Sequence, residues 1–138
     1  GNNPLLINET LAKRMHEHLT TVGGVAYTKE EEEFAKKIYA SFDKPTKTLA
    51  DAARIDPYEK SLGYGSTDVG DVSWAAPTVG LGTATWVPGT SAHSWQAVAA
   101  SGMSIGYKGA TNAAKAMSLA AIELYQDADL RAAARAEF

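Results

Sequence analysis

The residues with the greatest potential for chemistry lie in one glycine-rich stretch, from Gly65 to Gln96. Its first half carries small polar side chains, and its second half carries a histidine and a serine in a loop. These residues are Ser66, Thr67, Asp68, Asp71, His93 and Ser94. A loop histidine near carboxylates can bind a metal, act as a base or donate a hydrogen bond. From residue type alone, we expect His93 to pair with a carboxylate and Asp68 to cap a short helix at 69–75.

The supply of metal ligands in the chain is small. There is no cysteine, which excludes a thiolate zinc site, a cysteine nucleophile and an iron–sulfur cluster. The three histidines are His16, His18 and His93. Because His16 and His18 are two residues apart on a predicted helix, they point to different sides, and we expect structural roles for both. A multi-metal site made by this chain alone would consist almost entirely of carboxylates.

Two other reaction types are tested against the same stretch. Ser94, His93 and Asp68 have the residue types of a catalytic triad, but the G-x-S-x-G turn of many serine hydrolases is absent. Gly80-Leu81-Gly82 lacks the third glycine of a dinucleotide-binding fingerprint. A serine hydrolase that uses Ser94 stays open as a minor alternative.

Length and charge narrow the class of protein further. The chain has 138 residues, and 13 basic against 16 acidic side chains give a net charge of −3. This predicts one domain over residues 1–138, with no basic stripe for nucleic acid. No apolar run is long enough for a transmembrane helix, and the start of the sequence does not resemble a signal peptide. We therefore expect a cytoplasmic protein that does not bind membranes.

The segments that flank the stretch have the pattern of helices. Asn8 is placed to cap a first helix that ends at Gly23-Gly24. Thr28 and Glu31 have the spacing of a capping box, so the run from Glu30 to Glu33 is interpreted as helix chemistry rather than as a metal cluster. A short helix is predicted at 49–55. A long helix through 110–124 is apolar enough to be buried on more than one side, and a final helix is predicted at 130–138.

One strand is predicted, over residues 78–87 between Pro77 and Pro88. Its glycines, Gly80 and Gly82, suggest that another backbone or a ligand approaches closely there. One strand cannot form a stable sheet, so its neighbours would have to lie elsewhere. The expected fold class is therefore α/β: a helix-rich fragment with one to two strands that forms part of an α/β/α catalytic domain.

Several strings resemble one enzyme family. GSTDVGDVSWAAPTV, followed by PGTSAHSWQ, SIGYKG and AAKAM, resembles the C-terminal part of M20-type metallopeptidases and amidohydrolases, especially the aminobenzoyl-glutamate hydrolase-like branch. NETLAKRMHEHLTTVG resembles the same family more loosely. The chain lacks the ligand motifs that precede the lid domain in this family, and it lacks the lid. Ser91-Ala92 stands where the family pattern has Pro-Gly before the histidine.

The resemblance implies a site and a reaction. In such enzymes two metal ions, zinc or manganese, activate a water that hydrolyses an amide. The last metal ligand, a histidine, falls on His93, and the loop that lines the cleft falls on Ser66, Thr67, Asp68 and Asp71. The implied substrate is a small amide or dipeptide-like molecule, such as aminobenzoyl-glutamate or an N-acyl amino acid.

The sequence thus predicts the post-lid part of a metal-dependent amidohydrolase. Alone, it is expected to be inactive and to bind no metal, because its partner is the remainder of the same catalytic domain. An unpaired strand could also drive formation of a homodimer. The alternative from another class is a stand-alone helical domain that binds a partner without catalysis.

Overall fold

The computed structural model describes residues 1–61, 63, 65 and 67–138. These residues form six α-helices, one 3₁₀ helix and no strand. The helices are α1 (Glu9–Val22), α2 (Lys29–Tyr39), the 3₁₀ helix (Leu49–Ala53), α3 (Val69–Ser73), α4 (Trp95–Ser101), α5 (Ser104–Gln126) and α6 (Ala128–Glu137). The chain divides into two compact units. Unit 1 comprises Gly1–His18, Pro57–Leu81 and Ala116–Phe138, and unit 2 comprises Leu19–Asp56 and Gly82–Lys115.

The predicted α/β fold is wrong, because the described residues are helical or irregular and contain no sheet. Residues 78–87 were expected to form a strand, but none of the described segments pairs with them as a neighbouring strand. Hydrogen bonds near the end of the segment are local or go to a helix. The Thr85 N–H donates to the Thr83 carbonyl at 3.0 Å, and the Thr83 hydroxyl donates to the Gly109 carbonyl of α5 at 3.0 Å.

A close backbone approach does exist in unit 2, but at a different glycine from those predicted. A Cβ atom at Gly80 or Gly82 would meet nothing within 4 Å. A Cβ atom at Gly109 would lie 2.2 Å from the carbonyl oxygen of Ala84. Gly109 therefore lets residue 84 rest directly on α5, and this packing uses the glycine of the helix rather than the glycines of the loop.

The core of unit 2 is an apolar cluster around one α5 side chain. Ile105 is 1% exposed and packs with Ala35 and Ile38 of α2, with Leu49 and with Val87. The capping box predicted for α2 is present, because the Thr28 hydroxyl accepts from the Glu31 N–H and the Glu31 carboxylate accepts from the Thr28 N–H. The box fixes the start of α2, and its apolar stripe then faces the cluster.

Glu31 is also the buried acid of unit 2. Its carboxylate accepts a hydrogen bond from Lys108 Nζ of α5 at 2.6 Å, and Lys108 also donates to the Ala26 carbonyl at 2.9 Å. Burial raises the pKa of Glu31, but hydrogen bonds from Lys108, the Ser104 hydroxyl and the Thr28 N–H outweigh burial and hold that pKa below its ordinary value. The ionised pair therefore joins α2 to α5.

Unit 1 is held together by caps that come from distant parts of the chain. The Asn8 side chain accepts from the Leu11 N–H at 3.0 Å, as its predicted N-cap role requires, and it donates to the Ala134 carbonyl of α6 at 2.8 Å. The Glu137 carboxylate accepts from the N–H groups of Glu9 and Thr10, which are free donors of the first turn of α1. Asp127 caps α6 by accepting from the Leu130 N–H at 2.8 Å.

Helix α5 buries one side rather than the several sides that its apolar sequence predicts. Its buried positions are Ile105, Gly106, Gly109, Ala116 and Ala120. Large apolar side chains elsewhere on the helix, such as Tyr107 and Met117, are more than half exposed. None of the helices in the described part of the chain has the length and apolar composition needed to cross a bilayer.

We predict that Gly109→Ala destabilises unit 2 by about 1–3 kcal/mol, although alanine is the better helix former. The added methyl group must displace the backbone at residue 84. Gly82→Ala is the matched control and should change the free energy of unfolding by less than about 1 kcal/mol. Urea denaturation of the two variants checks this. Equal stability would contradict the packing of residue 84 on α5.

We predict that stability depends on pH through Glu31. Its pKa is lowered on folding, so its ionised form stabilises the fold above the ordinary value of 4.5, and this contribution is lost as the pH falls through the folded-state pKa. Glu31→Gln should therefore be less stable than the wild type at neutral pH and lose less stability on acidification. Glu33→Gln, on the exposed side of α2, should behave as the wild type does. Denaturation curves at neutral and acidic pH would disprove the role of Glu31 if all three proteins had parallel pH profiles.

Candidate functional site

His93 lies in the loop that leads into α4, and its backbone is unusual. Its φ angle is 58°, which is the left-handed region and costs a residue other than glycine about 1–2 kcal/mol. The side chain is exposed. Among the described residues, no hydrogen bond or ion pair is found for its imidazole, so the expected pairing with a carboxylate is not seen there. The loop thus keeps the ring available to a ligand.

The neighbour of His93 holds this loop in place. The Ser94 hydroxyl accepts from the Ala97 N–H at 3.2 Å and donates to the Ser91 carbonyl at 2.7 Å. Ser94 is therefore the N-cap of α4, a helix that the Gly/Ser/Thr composition of the loop did not reveal. Because its proton is held by a backbone carbonyl, Ser94 has no base to activate it, and the serine hydrolase alternative loses its nucleophile.

The predicted cleft residues lie at the start of α3. Asp68 occupies the N-cap position, as predicted, but its side chain makes no capping hydrogen bond. The Thr67 hydroxyl accepts from the Val69 N–H at 3.3 Å instead. Both side chains are exposed, and Ser66 lies outside the described residues. Thr67 and Asp68 are thus open to a ligand.

Asp71 has a structural partner. Its carboxylate accepts from the backbone N–H of Asn3 at 2.9 Å and from the Asn3 side-chain amide at 2.8 Å. Two more bonds join α3 to the same segment: the Ser73 hydroxyl accepts from the Leu6 N–H, and the Trp74 indole donates to the Pro4 carbonyl, both at 2.8 Å. Asp71 therefore fixes residues 3–6 along α3.

The chain does not assemble a metal site from the side chains that the structure describes. Within residues 1–61, 63, 65 and 67–138, no group of three or more His, Asp or Glu side chains is arranged to hold a metal ion. Thr67, Asp68 and Asp71 belong to unit 1, and His93 belongs to unit 2. By chemistry, an exposed imidazole fits a metal ion as one ligand, but a closed or catalytic site requires at least two more donors.

Sequence reasoning missed one charged cluster in unit 1. The Glu123 carboxylate of α5 accepts from both Arg14 and His18 of α1, with His18 Nε2 2.7 Å from Glu123 Oε2. His18 and Glu123 also line a cleft of about 560 Å³ with Asp127 and Asp129. The structural role predicted for His18 is thus explained, because it joins α1 to α5. The pair is 105 positions apart, and no local pattern predicts it.

Unit 2 has a cleft of its own. It has a volume of about 540 Å³ and is lined by the segment 82–90, by residues 23–25 and by the region around the 3₁₀ helix. Thr83, Thr85 and Asn112 contribute polar groups to its wall. None of the predicted site residues lines it. The cleft is therefore separate from the loop that carries His93.

Comparison with known proteins gives one informative relative, which is one of the subunits of the p-aminobenzoyl-glutamate hydrolase of Escherichia coli. The chain is 30% identical to it over 150 aligned positions, which include 91% of this chain. The chain spans 31% of the length of that relative. No family model matches the chain, and no solved structure matches it significantly. The chain is thus similar, over most of its length, to one part of a hydrolase subunit.

We predict that Asp71 and Asp68 differ in their effect on stability. Asp71→Ala leaves two donors of Asn3 without their acceptor and should lower the free energy of unfolding by about 1 kcal/mol. Asp68→Ala removes no side-chain hydrogen bond and should change it by less than about 0.5 kcal/mol. Thermal and urea unfolding of the two variants measure this difference. A loss at Asp68 equal to that at Asp71 would contradict the assigned contacts.

Proposed function

We propose that this chain is the C-terminal part of a metal-dependent amidohydrolase. The enzyme would hydrolyse an amide such as aminobenzoyl-glutamate or an N-acyl amino acid. The observation that carries the proposal is the 30% identity to a p-aminobenzoyl-glutamate hydrolase subunit across 91% of the chain. We further propose that residues 1–138 form one domain of a cytoplasmic protein and that the isolated chain is inactive.

His93 is the proposed metal ligand. Three observations support it: the imidazole is exposed, it has no partner among the described residues, and its backbone is held in the left-handed region. Strained backbone that persists in a fixed loop is often functional. A bound zinc or manganese ion would lower the pKa of a water and so supply the nucleophile for the amide carbonyl. His93 would hold the ion at one position, and the remaining donors would come from the rest of the catalytic domain.

The start of α3 is the proposed substrate-facing element. Thr67 and Asp68 have exposed side chains without long-range partners, so they are free to bind a polar group of a small amide. Asp71 contributes indirectly, because its hydrogen bonds to Asn3 hold the N-terminal segment against α3. Ser66 is retained as a cleft residue from the sequence resemblance alone.

We predict that His93→Asn in the complete protein lowers metal affinity by more than about a hundredfold and abolishes most amide hydrolysis. Asparagine tolerates the left-handed backbone, so the fold should be preserved. His16→Asn is the matched control, because it also removes a histidine but from the middle of α1, and it should keep both properties. Metal content by mass spectrometry and hydrolysis of aminobenzoyl-glutamate are measured together. A His93→Asn protein that keeps its metal and its activity would refute the assignment.

A further inference from the structure

Helix α5 carries a second apolar stripe that the described residues leave uncovered. We call it the open face. It follows the spacing i, i+4, i+7, i+11, i+14, i+18, which keeps side chains in one line along a helix. Its members are Met103, Tyr107, Ala110, Ala114, Met117 and Ala121. All six are exposed, with Tyr107 at 64% and Met117 at 55%.

The open face also lacks charge. Helix α5 has three charged residues, Lys108, Lys115 and Glu123. Lys108 is turned to Glu31, and Glu123 is turned to Arg14 and His18. A helix face that meets water normally carries charged or polar side chains. An uncharged stripe of about five turns therefore has the composition of a buried interface.

The shape of the open face indicates what can pack on it. Ala110 and Ala114 lie near its centre and let another backbone approach closely, while Tyr107 and Met117 supply larger side chains on either side of them. From Met103 to Ala121 the stripe is about 27 Å long at the rise of an α-helix. This is the length that one long element of a neighbouring domain can cover.

The occupant follows from the length of the relative. The chain aligns over 91% of itself but covers 31% of the hydrolase subunit, so more than two thirds of that subunit has no counterpart in these residues. We propose that the open face docks this remaining part of the amidohydrolase, through an apolar element that packs along α5. The inference rests on the proposed function and specifies the surface by which the C-terminal part joins the rest of the enzyme.

The absence of cysteine makes this surface directly testable. In the complete protein, single cysteines are placed at Ala114 on the open face, at Lys36 on exposed α2 and at Ala116, which is fully buried in α5. Alkylation of each site by N-ethylmaleimide is followed by peptide mass spectrometry. Ala114→Cys should react at least about tenfold more slowly than Lys36→Cys under native conditions, as Ala116→Cys does, and at the same rate in denaturant.

Each other outcome decides against some part of the inference. If Ala114→Cys reacts as fast as Lys36→Cys in the native protein, the open face is not docked and the proposal is overturned. If its protection disappears on dilution, the occupant is a second copy, which also overturns it. Hydrolysis of aminobenzoyl-glutamate is measured on the same protein. Protection without hydrolysis supports the docking and refutes the proposed function, and hydrolysis without protection does the reverse.

Discussion

The single buried face of α5 is the constraint on which the rest of the structure depends. The helical period places Ile105, Gly109, Ala116 and Ala120 on one side of this helix. In unit 2, that side supplies the centre of the apolar core, and the neighbouring Lys108 neutralises the buried Glu31. In unit 1, Glu123 gathers Arg14 and His18. Each unit is thus organised by its own contacts to part of the same helix.

The sequence allowed the local features of the fold to be predicted. Asn8, Thr28 and Asp127 are caps whose acceptor and donor lie within three residues of each other, so their spacing alone identifies them. The interactions that fix tertiary structure have no such signal. Asp71 with Asn3, Glu31 with Lys108 and His18 with Glu123 join residues 68 to 105 positions apart.

The strand at 78–87 was predicted wrongly for an instructive reason. Its Thr- and Val-rich pattern indicates an extended backbone, and the backbone is not helical, but a strand also requires a partner with which to exchange hydrogen bonds. In unit 2 the segment rests instead on α5, where Gly109 leaves room for the carbonyl of Ala84. The sequence indicated a close approach but placed it at Gly80 and Gly82, because it could not show which backbone needed the space.

The candidate site was predictable in residue type and not in geometry. His93 was selected through its resemblance to a family motif, whereas its positive φ and its exposed ring are visible only in the structure. The same is true of Asp71, whose carboxylate is occupied by Asn3. The functional account therefore needs donors beyond this chain, and the open face of α5 gives the surface on which the part that supplies them can dock.

The most direct measurement is a metal-dependence assay of the complete protein. The protein is treated with a chelator, dialysed and assayed for hydrolysis of aminobenzoyl-glutamate before and after zinc or manganese is returned. The account predicts that hydrolysis is lost with the metal and restored by one of the two ions, with water as the nucleophile. Hydrolysis that survives complete removal of metal, or no hydrolysis of any small amide with either ion, would contradict it.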